Sequence, residues 1–158
     1  MRIGVYPGSF DPVTNGHVEL IRRSVGLFDK VIFLLAVNPM KKSIFSIEDR
    51  LKMMREVAKE FPNVEVDFYP GLIVDYCQKI GSKYIIRGLR AVTDFEYEFQ
   101  LAAANEFANP DIDMVFFMSR KEETFISSTA INELHDCGKD ISSLVPPIVV
   151  KMFQQKEK

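Results

Sequence analysis

Three features of the sequence predict an α/β fold built on a parallel sheet. Short runs of strand-forming residues recur at 3–6, 31–37, 64–68, 83–86 and 114–118, and stretches with helical spacing separate them. The run Val31-Ile32-Phe33-Leu34-Leu35-Ala36-Val37 is apolar without interruption, the pattern of a strand covered on both faces. Strands alternating with helices imply right-handed crossovers and a sheet with helices on both sides. The expectation is one doubly wound, Rossmann-like sheet of five parallel strands, forming a single domain over residues 1–158.

Each element has its own signal. Ile3-Gly4-Val5-Tyr6 is a short buried strand, and Val18-Glu19-Leu20-Ile21-Arg22-Arg23 a helix. Asn38-Pro39 ends the second strand, and Met40-Lys41-Lys42-Ser43 is a polar connector. Ser46 then stands as N-cap, with Asp49 at the capping-box position. Ile47, Leu51, Met54, Val57 and Ala58 follow at helical spacing until Pro62-Asn63 stops the helix. Val64-Glu65-Val66-Asp67-Phe68 alternates, as expected of a strand with one wet face near a sheet edge. A helix over 72–80 closes at Gly81, and the fourth strand, 83–86, delivers Arg87-Gly88-Leu89-Arg90 at its end. A longer helix over 94–108 carries Phe95, Phe99, Ala102, Ala103 and Phe107 on related faces and stops at Asn109-Pro110. After the fifth strand come a charged loop over 119–125, a helix beginning at 126–131, and a last helix with proline in its first turn from Pro146-Pro147.

Composition narrows the function. The chain is 47% hydrophobic and 27% charged, ordinary for a globular protein, and its net charge of -2 lacks the basic field that nucleic-acid or membrane-surface binding needs. Cys77 and Cys137 have no CxxC spacing, so neither a disulfide framework nor a zinc site is expected. His135, beside Asp136 and Cys137, has no second ligand cluster, and no metal site is expected there. No apolar run approaches the ~18 residues of a membrane span. The N-terminus enters a strand without a signal-peptide layout, so a cytoplasmic protein is expected.

Chemistry concentrates in three places. Pro7-Gly8-Ser9-Phe10-Asp11-Pro12-Val13-Thr14-Asn15-Gly16-His17 is a strand-to-helix turn, with a hydroxyl at Ser9 and a histidine in the helix's first turn. Helix N-termini bind phosphate, and Gly16 lets a ligand approach the backbone. Lys41-Lys42 after the second strand, and Arg87 and Arg90 after the fourth, supply cations; arginine adds a bidentate fork. Ile126-Ser127-Ser128-Thr129 places three hydroxyls at a helix start, more than capping requires. Strand order 3-2-1-4-5 is expected because it would set the first turn and the arginine loop over one crevice, at the topological switch point where ligands of open α/β sheets sit. Spacing by itself does not fix that order. The carboxylate run Asp94-Phe95-Glu96-Tyr97-Glu98 reads as the solvated face of a helix. No P-loop, dinucleotide fingerprint or nucleophile elbow is present.

Gly8-Ser9-Phe10-Asp11-Pro12, Thr14-Asn15-Gly16-His17, Arg87-Gly88-Leu89-Arg90 followed by Asp94-Phe95-Glu96-Tyr97-Glu98, and Phe125-Ile126-Ser127-Ser128-Thr129 resemble the bacterial phosphopantetheine adenylyltransferases, a family of the nucleotidyltransferase superfamily with (H/T)xGH and ISSS-type motifs. The similarity runs from residue 3 to about 150 with the motifs in order, although Thr129 stands where serine is common. The resemblance implies transfer of the adenylyl group of ATP to 4′-phosphopantetheine, giving dephospho-coenzyme A and pyrophosphate, with Mg²⁺ carried by ATP and no protein metal ligands. It implies catalytic roles for His17, Lys41 and Arg90. ATP contacts would come from Ser9, Phe10, His17, Gly88, Leu89, Arg90, Glu98, Glu123, Thr124, Phe125, Ile126, Ser127, Ser128 and Thr129. Substrate contacts would come from Ser9, Lys41, Ile73 and Arg87. It further implies a homohexamer and coenzyme A as a feedback ligand.

The chemistry agrees with these residue types. A phosphate nucleophile is already ionised, so catalysis needs positioning and stabilisation of developing charge rather than a base. Three alternatives compete: a nucleotidyltransferase acting on nicotinate mononucleotide or glycerol 3-phosphate, a non-catalytic nucleotide-binding regulator, and a purely structural subunit. The first typically carries histidine where Thr14 stands; the others leave His17 and the basic loop without purpose.

Overall fold

The computed structural model describes residues 1–37 and 39–157. Asn38, read with Pro39 as the end of the second strand, lies outside the described residues. Five parallel strands form one sheet: β1 (Ile3–Gly8), β2 (Lys30–Ala36), β3 (Val64–Tyr69), β4 (Tyr84–Leu89) and β5 (Asp113–Met118). Their order is β3-β2-β1-β4-β5, as the loops led us to expect. The helices are α1 (Asn15–Ser24), α2 (Ile47–Ala58), α3 (Ile73–Ile80), α4 (Val92–Ala108), α5 (Ser128–Asp136) and α6 (Pro147–Lys156).

The pleat distributes side chains to two cores. From β2, Val31, Phe33 and Leu35 enter a large cluster with Leu20 and Ile21 of α1, Met53 and Met54 of α2, Ile131 of α5 and Val149 of α6. Ile32 and Leu34 point the other way, into a smaller cluster with Val74 and Cys77 of α3. This explains why β2 is apolar throughout. On edge strand β3 the alternation separates buried Val64 from exposed Glu65 and Asp67, the one wet face that the sequence suggests.

Three expectations need correction, and the burial of the α4 aromatic residues, which their spacing left open, is decided. The fourth strand does not end at Ile86: Arg87, Gly88 and Leu89 continue it, paired in register with Phe116, Phe117 and Met118 of β5. The buried face of α2 is Arg50, Met53, Met54 and Val57, whereas Ile47 is exposed. Helix α4 does not bury its aromatic residues within the chain; Phe95, Phe99 and Phe107 are exposed, and Glu98 is its one buried residue. Within the 119–125 loop, Lys121–Glu123 form a single 3₁₀ turn.

Candidate active site

The C-terminal ends of β1 and β4 open into a crevice of about 400 Å³. Its lining gathers Ser9, Phe10, His17, Lys41, Arg87, Gly88, Arg90, Glu98, Glu123, Ile126, Ser127, Ser128 and Thr129, thirteen of the residues singled out from the sequence. Leu89, Thr124, Phe125 and Ile73 are not among the lining residues. Leu89 is buried at the end of β4, and the Thr124 hydroxyl donates to the Arg120 carbonyl at 3.0 Å. Phe125 is exposed, and Ile73, the first residue of α3, packs against the smaller core.

His17 is held by the capping of its own helix. Thr14 is the N-cap of α1 and His17 is its N3 residue. The Thr14 amide donates to His17 Nδ1 at 2.9 Å, and the His17 amide donates to Thr14 Oγ1 at 3.4 Å. A backbone amide can only donate, so Nδ1 carries no proton and the neutral ring keeps its proton on Nε2. Burial, with Arg90 second, lowers the His17 pKa to about 4. The Phe10 ring meets the imidazole edge-on at 4.9 Å between centroids. In the free protein His17 is therefore a neutral Nε2–H donor near pH 7.

The glycines of this turn have separate reasons. A Cβ on Gly8 would lie 2.7 Å from the Phe10 ring, so only glycine lets that ring fold back beneath the strand. Phe10 takes φ 42°, in the left-handed region, and is 2% exposed; its side chain belongs to the core and only its edge reaches the crevice. A Cβ on Gly16 would meet only ordinary contacts, Thr14 Oγ1 at 3.5 Å and the Ile126 carbonyl at 3.9 Å. What its absence preserves is crevice space.

The cations differ from one another. Arg87 already has an anion: Nε and Nη2 bind the two carboxylate oxygens of Glu98 at 2.9 and 2.5 Å. Burial alone would lower the Arg87 pKa, but the hydrogen bonds and charge of Glu98 raise it. The carboxylate run of α4 is thus no plain solvated face, because Glu98 is buried and paired. Arg90 is looser, 3.4 Å from the Ile126 carbonyl and 3.7 Å from Asp94. The Asp94 carboxylate accepts from the Arg90 and Ala91 amides at 3.0 and 3.2 Å and so caps α4. Lys41 is exposed at the crevice mouth.

The three hydroxyls at the start of α5 divide the work. Ser127 is the N-cap, accepting from the Ala130 amide at 3.1 Å, and Ser128 donates to the Pro12 carbonyl at 2.8 Å. The Thr129 side chain makes no hydrogen bond among the described residues and lines the crevice. Sequence reasoning missed Tyr6, Asp94 and Ser119, which also line it. Burial raises the Tyr6 pKa, so its phenol stays protonated. Tyr6 stood inside an apolar strand, where nothing marks its polar end.

Fold and site together define a nucleotidyltransferase: an open parallel sheet with a neutral histidine, cations and two helix N-termini around one switch-point crevice. The cytidylyltransferase-like family model matches residues 5–134. A phosphopantetheine adenylyltransferase of Caldanaerobacter subterraneus subsp. tengcongensis is 45% identical over 158 residues, covering 100% of this chain and 99% of the relative. One of Desulforamulus reducens is 49% identical over 156 residues, 99% of this chain and 97% of the relative. A solved structure from Vibrio parahaemolyticus, provisionally assigned as a nicotinate-nucleotide adenylyltransferase, superposes with a TM-score of 0.75 over 98% of this chain and 93% of its own. At 20% sequence identity it speaks for the fold alone. The chain belongs to the phosphopantetheine adenylyltransferase family, within the cytidylyltransferase-like nucleotidyltransferases.

Proposed function

We propose that this chain transfers the adenylyl group of ATP to 4′-phosphopantetheine, forming dephospho-coenzyme A and pyrophosphate in coenzyme A biosynthesis. The observation that carries the reading is the convergence of His17 Nε2–H, Arg90, Lys41 and the α5 N-terminus on one crevice, in a chain of this family. An oxygen of the acceptor phosphate attacks the α-phosphorus of ATP. The bond from that phosphorus to the bridging oxygen breaks, and pyrophosphate leaves with the electron pair.

No base is required, because the nucleophile arrives ionised. Charge builds on the α-phosphoryl oxygens, and a fixed neutral donor is suited to meet it: His17 Nε2–H takes that role. Arg90 and Lys41 balance charge on the phosphates. Ser9, Lys41 and Arg87 face the acceptor, and Arg87, already held by Glu98, presents a fixed rather than a mobile cation. Phe10, Gly88 and the segment from Glu123 to Thr129 bound the ATP side, with Thr129 offering an uncommitted hydroxyl. Leu89 stays on the ATP side and Ile73 on the acceptor side as proposed contacts, although neither is among the residues lining the crevice.

Mg²⁺ enters with ATP. Glu98 is committed to Arg87 and Asp94 to backbone amides, and the described residues contain no group of three acidic, histidine or cysteine side chains that could hold a metal ion. This donor set suits an ion held by the nucleotide's own phosphates. We further propose action in the cytoplasm, one domain over residues 1–158, a homohexameric assembly and coenzyme A as a feedback ligand. The exposed aromatic face of α4 supports assembly; among the described residues no helix is long and apolar enough to cross a membrane.

The test is a substrate panel with the purified protein. Phosphopantetheine, nicotinate mononucleotide and glycerol 3-phosphate are each offered with ATP and with CTP, and pyrophosphate and product mass are followed. Dephospho-coenzyme A from ATP and phosphopantetheine alone supports the reading. Turnover of nicotinate mononucleotide or glycerol 3-phosphate instead, or ATP binding without pyrophosphate release, overturns it.

A further inference from the structure

Outside the crevice, a buried polar cluster ties three pieces of the site together. Asp11 is 7% exposed, yet its carboxylate pairs with no cation among the described residues. Its Oδ2 accepts from the Ile44 amide at 2.7 Å and its Oδ1 from the Phe45 amide at 2.8 Å. The carboxylate thus holds the backbone of the segment whose other end carries Lys41.

Arg50 is the complement. It projects from α2, is 3% exposed and makes no ion pair with a carboxylate among the described residues. Its Nη1 donates to the Ser9 carbonyl at 3.0 Å and its Nε to the Ser46 carbonyl at 3.4 Å. A buried guanidinium spent on two carbonyls is costly unless it fixes something; here it fixes Ser9 relative to the start of α2. The outer side of the same segment is closed by α6, where Lys156 donates to the Ile44 carbonyl and its ammonium lies 5.1 Å from the Phe45 ring centroid.

We infer that Asp11 and Arg50 are positioning residues that clamp the Lys41-bearing segment to the Ser9 turn, and thereby set how the crevice captures the acceptor phosphate. The inference rests on the adenylyl-transfer reading above, in which Ser9 and Lys41 face the acceptor. Ser9 and Lys41 border both substrates, but the ATP side is also anchored by the capping of α1 and α5, so the clamp governs the acceptor more than ATP.

Three variants test this. Asp11→Asn turns one of the two acceptors into a donor facing an amide. Arg50→Lys keeps the charge but loses the fork that spans Ser9 and Ser46. Lys156→Met removes only the outer tie, from an exposed residue outside the proposed machinery. In the first two we expect KM for phosphopantetheine to rise roughly 10- to 100-fold, the scale of an ångström-level misplacement, while KM for ATP stays within about twofold. Lys156→Met shifts the same constant in the same direction by less. Calorimetric titration with phosphopantetheine reads the loss directly. Equal changes in both KM values, or a lower Tm with unchanged kinetics, overturns the clamp and leaves a purely structural role. Should Asp11→Asn fail to fold, Arg50→Lys and Lys156→Met decide the matter. Wild-type protein that makes no dephospho-coenzyme A would overturn the functional reading itself; wild-type turnover without the KM split in the variants overturns only the clamp.

Discussion

At His17, fold stability and proposed catalysis meet in one ring. Nδ1 closes the cap of α1 and Nε2 faces the crevice, so substitutions can separate the two duties. His17→Ala loses both. We expect about 1 kcal/mol less stability from the lost cap and a kcat lower by roughly 10²–10³, with ATP affinity little changed. His17→Glu is the informative partner, because glutamate is the usual N3 residue of a capping box. Its Tm should match wild type while kcat falls at least as far as in His17→Ala, since an anion now faces the phosphates. Thermal melts and steady-state kinetics on the pair check this; a His17→Glu enzyme with wild-type turnover removes the donor role.

The same ring makes a pH prediction. Its folded pKa of about 4 lies below the ordinary imidazole value of 6.5, so between those values the unfolded chain binds more protons than the folded one. Stability therefore rises with pH across that window: His17's share is complete above about 6.5 and is lost as pH falls toward 4. Above pH 6.5 the ring of the free enzyme should contribute no titration to kcat/KM. Denaturant midpoints from pH 4 to 8 should show a shallower acid limb in His17→Gln than in wild type. The residue's place at a helix start was legible in the sequence, because Thr14, Gly16 and the following apolar spacing mark that boundary. Its tautomer was not, because that depends on which amide reaches Nδ1.

Among elements, the joint between β4 and α4 decides how the crevice is charged. Arg87 and Glu98 bind through two hydrogen bonds, and Glu98 is the one buried residue of α4. Arg87→Ala strands a buried carboxylate beside a phosphate-binding crevice. We expect it to cost about 3 kcal/mol, the low end for breaking a buried pair, and to weaken both substrates. Removing the anion as well, in Arg87→Ala with Glu98→Ala, should recover part of the loss. A double-mutant cycle on stability and kcat/KM would show a coupling of roughly 1–3 kcal/mol; additive effects would mean that the pair does not act as a unit. Sequence patterning missed this joint for a physical reason. Arg87 and Glu98 are eleven residues apart on different elements, so no helical or strand period links them. The extension of β4 through Leu89 comes from pairing with β5, a tertiary effect that local glycine and arginine content hides. The Ser46 cap and the Gly81 helix end are local, and both were legible.

For the whole molecule, strand order could be argued from the sequence because function constrains it: two loops rich in cations and hydroxyls are useful only if they share a crevice, and β1 and β4 are neighbours. The fate of α4 could not, because its aromatic spacing is equally that of a core helix and of a helix covered by a partner. Within the chain Phe99 and Phe107 are 65% and 94% exposed, and Val92, Phe95 and Tyr97 are exposed beside them. What ties α4 down is mainly polar: the Asp94 cap at its start and the Glu98–Arg87 pair in its middle. A helix of 17 residues so anchored would leave a large apolar surface in water, which monomers seldom tolerate. Burial against further copies of the same chain, in a closed symmetric assembly, removes that cost. If this is so, assembly and the crevice are coupled through α4, since the helix that packs outward also carries the carboxylate that fixes Arg87. Phe99→Asp combined with Phe107→Asp should therefore do two things at once. The mass by light scattering should fall from that of the proposed hexamer toward one chain mass, with the circular dichroism of the sheet retained. Amide exchange should accelerate selectively along α4, and KM should rise as Arg87 loses its fixed anion. A variant that dissociates yet keeps full activity and a protected α4 would show that the helix stands without its partners and that the site is complete in one chain.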